Sequence, residues 1–76
     1  MDVKAKVFEI VAAVCDIAVS DVTLESTIGD FPSWDSMGHL TILQQVEEAC
    51  DINFEPEEMM DIEDVKDIIK AVEAKL

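Results

Sequence analysis

Asp30-Phe31-Pro32-Ser33-Trp34-Asp35-Ser36-Met37-Gly38-His39-Leu40 is an aromatic-rich loop that runs directly into a helix. Pro32 disfavours helical backbone at Phe31. Asp35 or Ser36 then offers a side-chain oxygen to the unpaired N–H groups of a helix that starts there. The Ser36 hydroxyl thus falls in the first turn, where those N–H groups suit a phosphate. Gly38 lowers steric bulk within that turn at some cost in helix stability. On its own, a serine at a helix start is an ordinary cap, so the segment takes its meaning from its surroundings.

Downstream, the helix should continue to Cys50, with Ile42, Leu43, Val46, Ala49 and Cys50 on one arc at about 100° per residue. His39 falls within that arc, which reads as a packed histidine with a local hydrogen bond. Met37 lies opposite, with Thr41, Gln44 and Glu48. Upstream, Ser20 to Asp35 reads as a long loop anchored by Val22, Leu24, Ile28 and Phe31, and connections of that length are commonly functional. Before it, Val3, Val7, Ile10, Val11, Val14, Ile17 and Ala18 share an arc, predicting a helix from Val3 to Val19.

After Cys50 comes a connector with Ile52 and Phe54 turned inward. Pro56 is suited to open a short helix through Met60, and the acids that follow it suit a helix N-terminus. Ile62, Val65, Ile68, Ile69, Val72 and Leu76 predict a last helix over Ile62–Ala74, in which Lys66 and Lys70 lie past its acidic start. No strand-like alternation of useful length intervenes. The expected fold is all-α: a four-helix bundle of three longer helices and one short one, with a long first loop, forming a single domain over residues 1–76.

The charge narrows the function classes. Eighteen acidic residues face five basic ones, a formal net charge of -13. No Lys or Arg occurs between Lys6 and Lys66, whereas 15 acids do. Nucleic-acid binding needs Lys or Arg on phosphates and is excluded on that ground. An anionic membrane surface would repel the middle of the chain, while basic partners would be steered to it. Half of the residues are hydrophobic, too many for a disordered acidic chain.

Cys15 and Cys50 have no CxxC or metal-ligand spacing, which favours reduced thiols, although one disulfide between them is compatible with the spacing. MDVKAKVFEI lacks the apolar run and cleavage site of a secretory leader. With no apolar stretch approaching about 18 residues, the expectation is a cytoplasmic protein without stable membrane insertion. A core this small, burying about 60% of the unfolded surface, leaves little material for a deep catalytic cleft. No catalytic constellation accompanies the single histidine, His39. Neither Asp30–Asp35 nor Asp61–Asp67 has the spacing of a calcium loop, so no specific metal site is expected.

Trp34-Asp35-Ser36-Met37-Gly38-His39-Leu40 resembles the attachment motif of acyl carrier proteins, whose core is Asp-Ser-Leu. The order of elements along nearly the whole chain is similar to that family as well. This resemblance implies that Ser36 receives 4′-phosphopantetheine from coenzyme A through a phosphopantetheinyl transferase. The thiol of the group would then carry acyl intermediates as thioesters between biosynthetic enzymes. Asp35 would cap the helix and present the serine. Met37, Leu40, Glu47 and Glu48 would form the partner-facing surface, meeting the basic docking patches of acyl-loading, condensing or acyl-transfer enzymes. Val7, Val14, Leu43, Val46, Ile62 and Ile68 would pack the bundle and bound any cavity for an acyl tail. The expected protein is a monomeric shuttle, not an enzyme.

Two positions depart from the pattern. Met37 replaces the commoner leucine, and Thr41 stands where fatty-acid carriers often present an acid. Trp34 and the Gly38-His39 pair look more like stand-alone carriers of polyketide, peptide or surface-polysaccharide pathways. Asp-Ser-Met is also similar to D-alanyl carriers, which keeps aminoacyl or peptidyl cargo open beside fatty-acid and polyketide cargo. The remaining alternative is a noncatalytic acidic interaction module with an ordinary Asp-Ser helix start.

Overall fold

The computed structural model describes residues 2–76, leaving Met1, where the expected 1–76 domain begins, outside the described residues. The described residues fold into four α-helices: α1 over Val3–Cys15, α2 over Ser36–Cys50, α3 over Pro56–Asp61 and α4 over Val65–Glu73. A 3₁₀ turn over Val19–Asp21 lies in the first loop. Among the described residues the only extended pairing is an isolated antiparallel bridge between Thr27 and Asp64. The architecture is the all-α four-helix bundle that the periodicity predicts, with one short helix and a long first loop, in the order of elements that the resemblance implies.

Helix α1 lies against both α2 and α4. Its inward face supplies Val7, Ile10, Val11, Ala12 and Cys15, which meet Ile42, Leu43, Val46 and Cys50 of α2 and Val65, Ile68 and Val72 of α4 in one core. Val22, Trp34, Phe54 and Ile62 close that core from the connecting segments. Cys15 and Cys50 are both buried, and burial pushes the Cys15 thiol above its ordinary range.

Two helix boundaries differ from the sequence expectation by more than one residue. Helix α1 stops at Cys15, not Val19, because Asp16 adopts the left-handed conformation (φ 57°) and the Ile17 N–H turns back to Ala12 O at 3.0 Å. Helix α2 ends in the same way after Cys50, with Asp51 at φ 55° and Ile52 N–H on Glu47 O at 3.0 Å. Helix α4 begins at Val65, not Ile62, where Asp64 caps the Asp67 N–H at 2.8 Å. Three apolar positions assigned to the core by periodicity also fall outside it. Leu76 lies beyond the end of α4 and is exposed, Ala49 is exposed on α2, and Ala18 is exposed after the end of α1.

The long loop is fixed by its contacts with the α3–α4 connector. Ile28 N–H and Thr27 Oγ1 both donate to Glu63 O, at 3.0 and 2.7 Å. Val65 N–H and Lys66 N–H donate to Ser26 O and Leu24 O. These bonds also satisfy first-turn donors of α4 that no helical carbonyl reaches. The loop is therefore tied to α4 before it returns to the start of α2.

Candidate functional site

The start of α2 is built by the loop that precedes it. Phe31, Trp34 and His39 form a ladder of rings: Phe31 stacks on Trp34 with centroids 6.4 Å apart, and Trp34 on His39 at 6.2 Å. Trp34 has no solvent exposure and is the largest of the fully buried side chains. In the sequence it stands in a long loop, where nothing marks it as a core anchor. A tryptophan two residues before a helix carries no periodicity signal that would assign it inward.

The loop backbone around Trp34 is equally constrained. Trp34 N–H donates to Phe31 O at 2.9 Å, and Gly29 N–H, from a residue at φ 96°, donates to Trp34 O at 2.8 Å. The next residue, Asp35, is the N-cap, its Oδ1 accepting Gly38 N–H at 2.9 Å. Gly38 is required for a reason the sequence did not show. A Cβ there would collide with the backbone carbonyl of Ser33, which folds over the helix start.

Ser36 is the first residue of α2 and is exposed. Its backbone N–H and that of Met37 belong to the first turn, where no preceding helical carbonyl is available to accept them. The positive end of the helix dipole points the same way. An exposed hydroxyl beside these donors can accept a substituent with an anionic linkage.

Beyond Ser36, α2 shows a partly apolar, partly acidic outer face. Met37 is 78% exposed and Leu40 51% exposed, unusually open for large apolar side chains. Thr41 Oγ1 donates to Met37 O at 3.1 Å, so its hydroxyl is turned onto its own helix. Glu48 is exposed farther along. Glu47 differs: it is half-buried and its Oε2 accepts Phe54 N–H at 2.8 Å, holding the connector that leads to α3. The two adjacent glutamates therefore stand in unlike settings, which helical angle alone did not reveal.

Val7, Leu43, Val46 and Ile68 have no solvent exposure, Ile62 is buried and Val14 is half-buried. None of these lines the open depression of about 550 Å³ between α1 and α2, whose walls are Lys6, Glu9, Ile10, Ala13, Gln45, Glu48 and Ala49. His39 is buried and doubly hydrogen-bonded. Trp34 Nε1–H donates to its Nδ1 at 3.0 Å, and its Nε2 meets Ile62 O at 2.9 Å. An indole N–H only donates and a carbonyl only accepts. The imidazole is thus neutral in this arrangement, with its proton on Nε2.

No helix among the described residues is long and apolar enough to cross a membrane. A comparison with curated proteins finds no match. The family model described as the phosphopantetheine attachment site matches residues 5–72, a span that begins in α1, contains all of α2 and α3 and reaches into α4. A match over nearly the whole bundle places its order of helices, as well as its motif, within one family: the chain belongs to the carrier proteins that bear covalently attached 4′-phosphopantetheine.

Proposed function

We propose that Ser36 bears the 4′-phosphopantetheine and that the protein shuttles acyl groups between biosynthetic enzymes. The observation that carries this reading is the exposed Ser36 hydroxyl at the first residue of α2, between a buried Trp34 and an exposed Met37. The residues there fit the group: the hydroxyl is the ester-forming oxygen, and the first-turn amides of α2 favour its phosphate. When bound, the group supplies a thiol on which cargo is held as a thioester. Asp35 holds the helix start in place, and the exposed Ser36 oxygen faces outward to the modifying enzyme.

A carrier of this family is handled by modifying enzymes such as a phosphopantetheinyl transferase and by acyl-handling enzymes. Met37 and Leu40 supply apolar contact, and Glu48 gives basic partners a direction along α2; the part of Glu47 is shared with its bond to Phe54. Acyl is the cargo class proposed, and Ile10, Ala13 and Ala49 offer it apolar contact in the depression between α1 and α2. Monomeric action in the cytoplasm completes the reading.

Incubation with coenzyme A and a broad-range phosphopantetheinyl transferase should add one group of about 340 Da, a single covalent modification of the serine. Ser36→Ala should stay folded by circular dichroism and remain unmodified. Modification mapped to Ser33, or persisting in the alanine variant, overturns the assignment. Charging of the modified protein by an aminoacyl-loading enzyme and not by an acyl-loading one would replace acyl with aminoacyl cargo.

A further inference from the structure

Buried neutral histidines are often only packing groups, but His39 joins three separate segments through its two ring nitrogens. Nδ1 takes the Trp34 indole N–H at 3.0 Å, two residues before Ser36, and Nε2 lies 2.9 Å from Ile62 O on the α3–α4 connector. The histidine itself stands three residues after Ser36 in α2, and its own backbone N–H donates to Asp35 O at 2.8 Å. The side-chain link thus clamps the loop residue before Ser36 to the helix turn after it. Its far end rests on a braced backbone, because neighbouring Glu63 O accepts both Ile28 N–H and Thr27 Oγ1.

We propose that His39 is a positioning residue for Ser36: its neutral imidazole holds Trp34 against the Ile62 carbonyl and so sets the angle at which the loop delivers the Ser36 hydroxyl to a modifying enzyme. The chemistry requires both nitrogens. An apolar residue in place of the imidazole leaves a buried indole N–H and a buried carbonyl without partners, and such groups are seldom left unpaired. Trp34 then gains by tilting toward water, and the backbone of Asp35 and Ser36 follows it. Met37, Leu40 and Glu48 are exposed on the outside of α2, so the docking face is left in place. The consequence is specific: a misdirected hydroxyl on a carrier that still docks.

This inference rests on Ser36 being the acceptor, and the experiment separates the two. Steady-state transfer from coenzyme A is measured on wild type, His39→Leu, His39→Asn, Trp34→Phe and the core control Val72→Ala, each at a temperature where circular dichroism shows it folded. His39→Leu should lower kcat about tenfold to a hundredfold, as misplacement of a reacting group does, with KM for the carrier unchanged. His39→Asn keeps an acceptor near the Nδ1 position and should recover part of the loss. Trp34→Phe removes the indole N–H from the other side, so the inference stays testable if His39→Leu does not fold. It should lower kcat as well, and adding His39→Leu to it should cost little more.

Trp34 is the sole tryptophan, so a red shift of its emission in His39→Leu reports its release. Val72→Ala should change the melting temperature but neither kcat nor the emission. Wild-type kcat in folded His39→Leu and Trp34→Phe overturns the role of His39, as does a loss confined to KM or one equalled by folded Val72→Ala. Wild-type modification at a residue other than Ser36 instead overturns the attachment reading on which the inference rests.

Discussion

Ser36 stands exposed at a helix start that its neighbours hold in place. Trp34 is drawn fully inside, Asp35 is committed to the Gly38 N–H, and Gly38 makes room for the Ser33 carbonyl. Substituting Gly38 with alanine sets two effects against each other. Helix propensity would favour alanine by about 1 kcal/mol. Against it, a Cβ meets a backbone carbonyl whose loop is pinned on both sides of Trp34 by hydrogen bonds, and overpacking of that kind costs about 1–3 kcal/mol. The clash should win, because a backbone atom cannot rotate away as a side chain can. Gly38→Ala is therefore expected to lower the melting temperature by about 4 °C or more for a domain of this size. It should also slow modification of Ser36, measured by intact mass over time.

At the scale of the helix, α2 divides its faces cleanly. Ile42, Leu43 and Val46 have no exposure, while Met37 and Leu40 stand in solvent with Glu48 beyond them. Glu48→Lys should mainly slow association with a basic transferase, and the penalty should shrink as salt rises, because exposed charges act through screened long-range attraction. Met37→Ala should weaken the complex at high salt too, by about 1–2 kcal/mol if the contact is buried in the complex. Modification kinetics across a salt series measures both. A larger effect from reversing Asp67 on α4 would move the docking face elsewhere. Glu47→Lys is a poor probe of docking, since it removes the acceptor of Phe54 N–H and so disturbs the connector as well as the charge.

Over the whole molecule, net charge opposes compaction. The formal net charge is -13, and an ion pair of Lys6 with Glu9 at 3.8 Å on exposed side chains offsets little of it. Raising salt from low ionic strength should therefore raise the melting temperature, since screening relieves like-charge repulsion; a flat series would mean the acids are compensated locally. Lys75 with Glu58 at 2.8 Å is of another kind, joining the segment after α4 to α3. The side-chain hydrogen bond from Lys75, with the Glu55 backbone N–H adding to it, holds the Glu58 carboxyl below its ordinary range. A depressed carboxyl binds its proton more readily in the unfolded chain. Its contribution to stability is accordingly present above the unfolded carboxyl value and lost as pH falls through the folded one. Lys75→Met should flatten that part of the acid limb in a pH series of melting temperatures, leaving neutral-pH modification of Ser36 unchanged.

Much of the fold is legible in local pattern. The arcs of α1, α2 and α4, the Pro56 helix start and the capped start of α2 follow from the period of a helix and the chemistry of its first turn. The motif that resembles an attachment site is visible for the same reason, being a run of consecutive residues. Where helices stop was harder to read. Cys-Asp-Ile occurs at 15–17 and again at 50–52, yet Ile17 and Ala18 continue the apolar arc of α1. Periodicity reads through a stop that rests on one left-handed aspartate. Tertiary structure alone settled the burial of Trp34, the need for glycine at position 38, the tie from Glu47 to Phe54 and the join from His39 to Ile62. Helix period and first-turn capping are local interactions that a short stretch of sequence encodes. These others depend on atoms brought together only when loop, helix and connector close on one another.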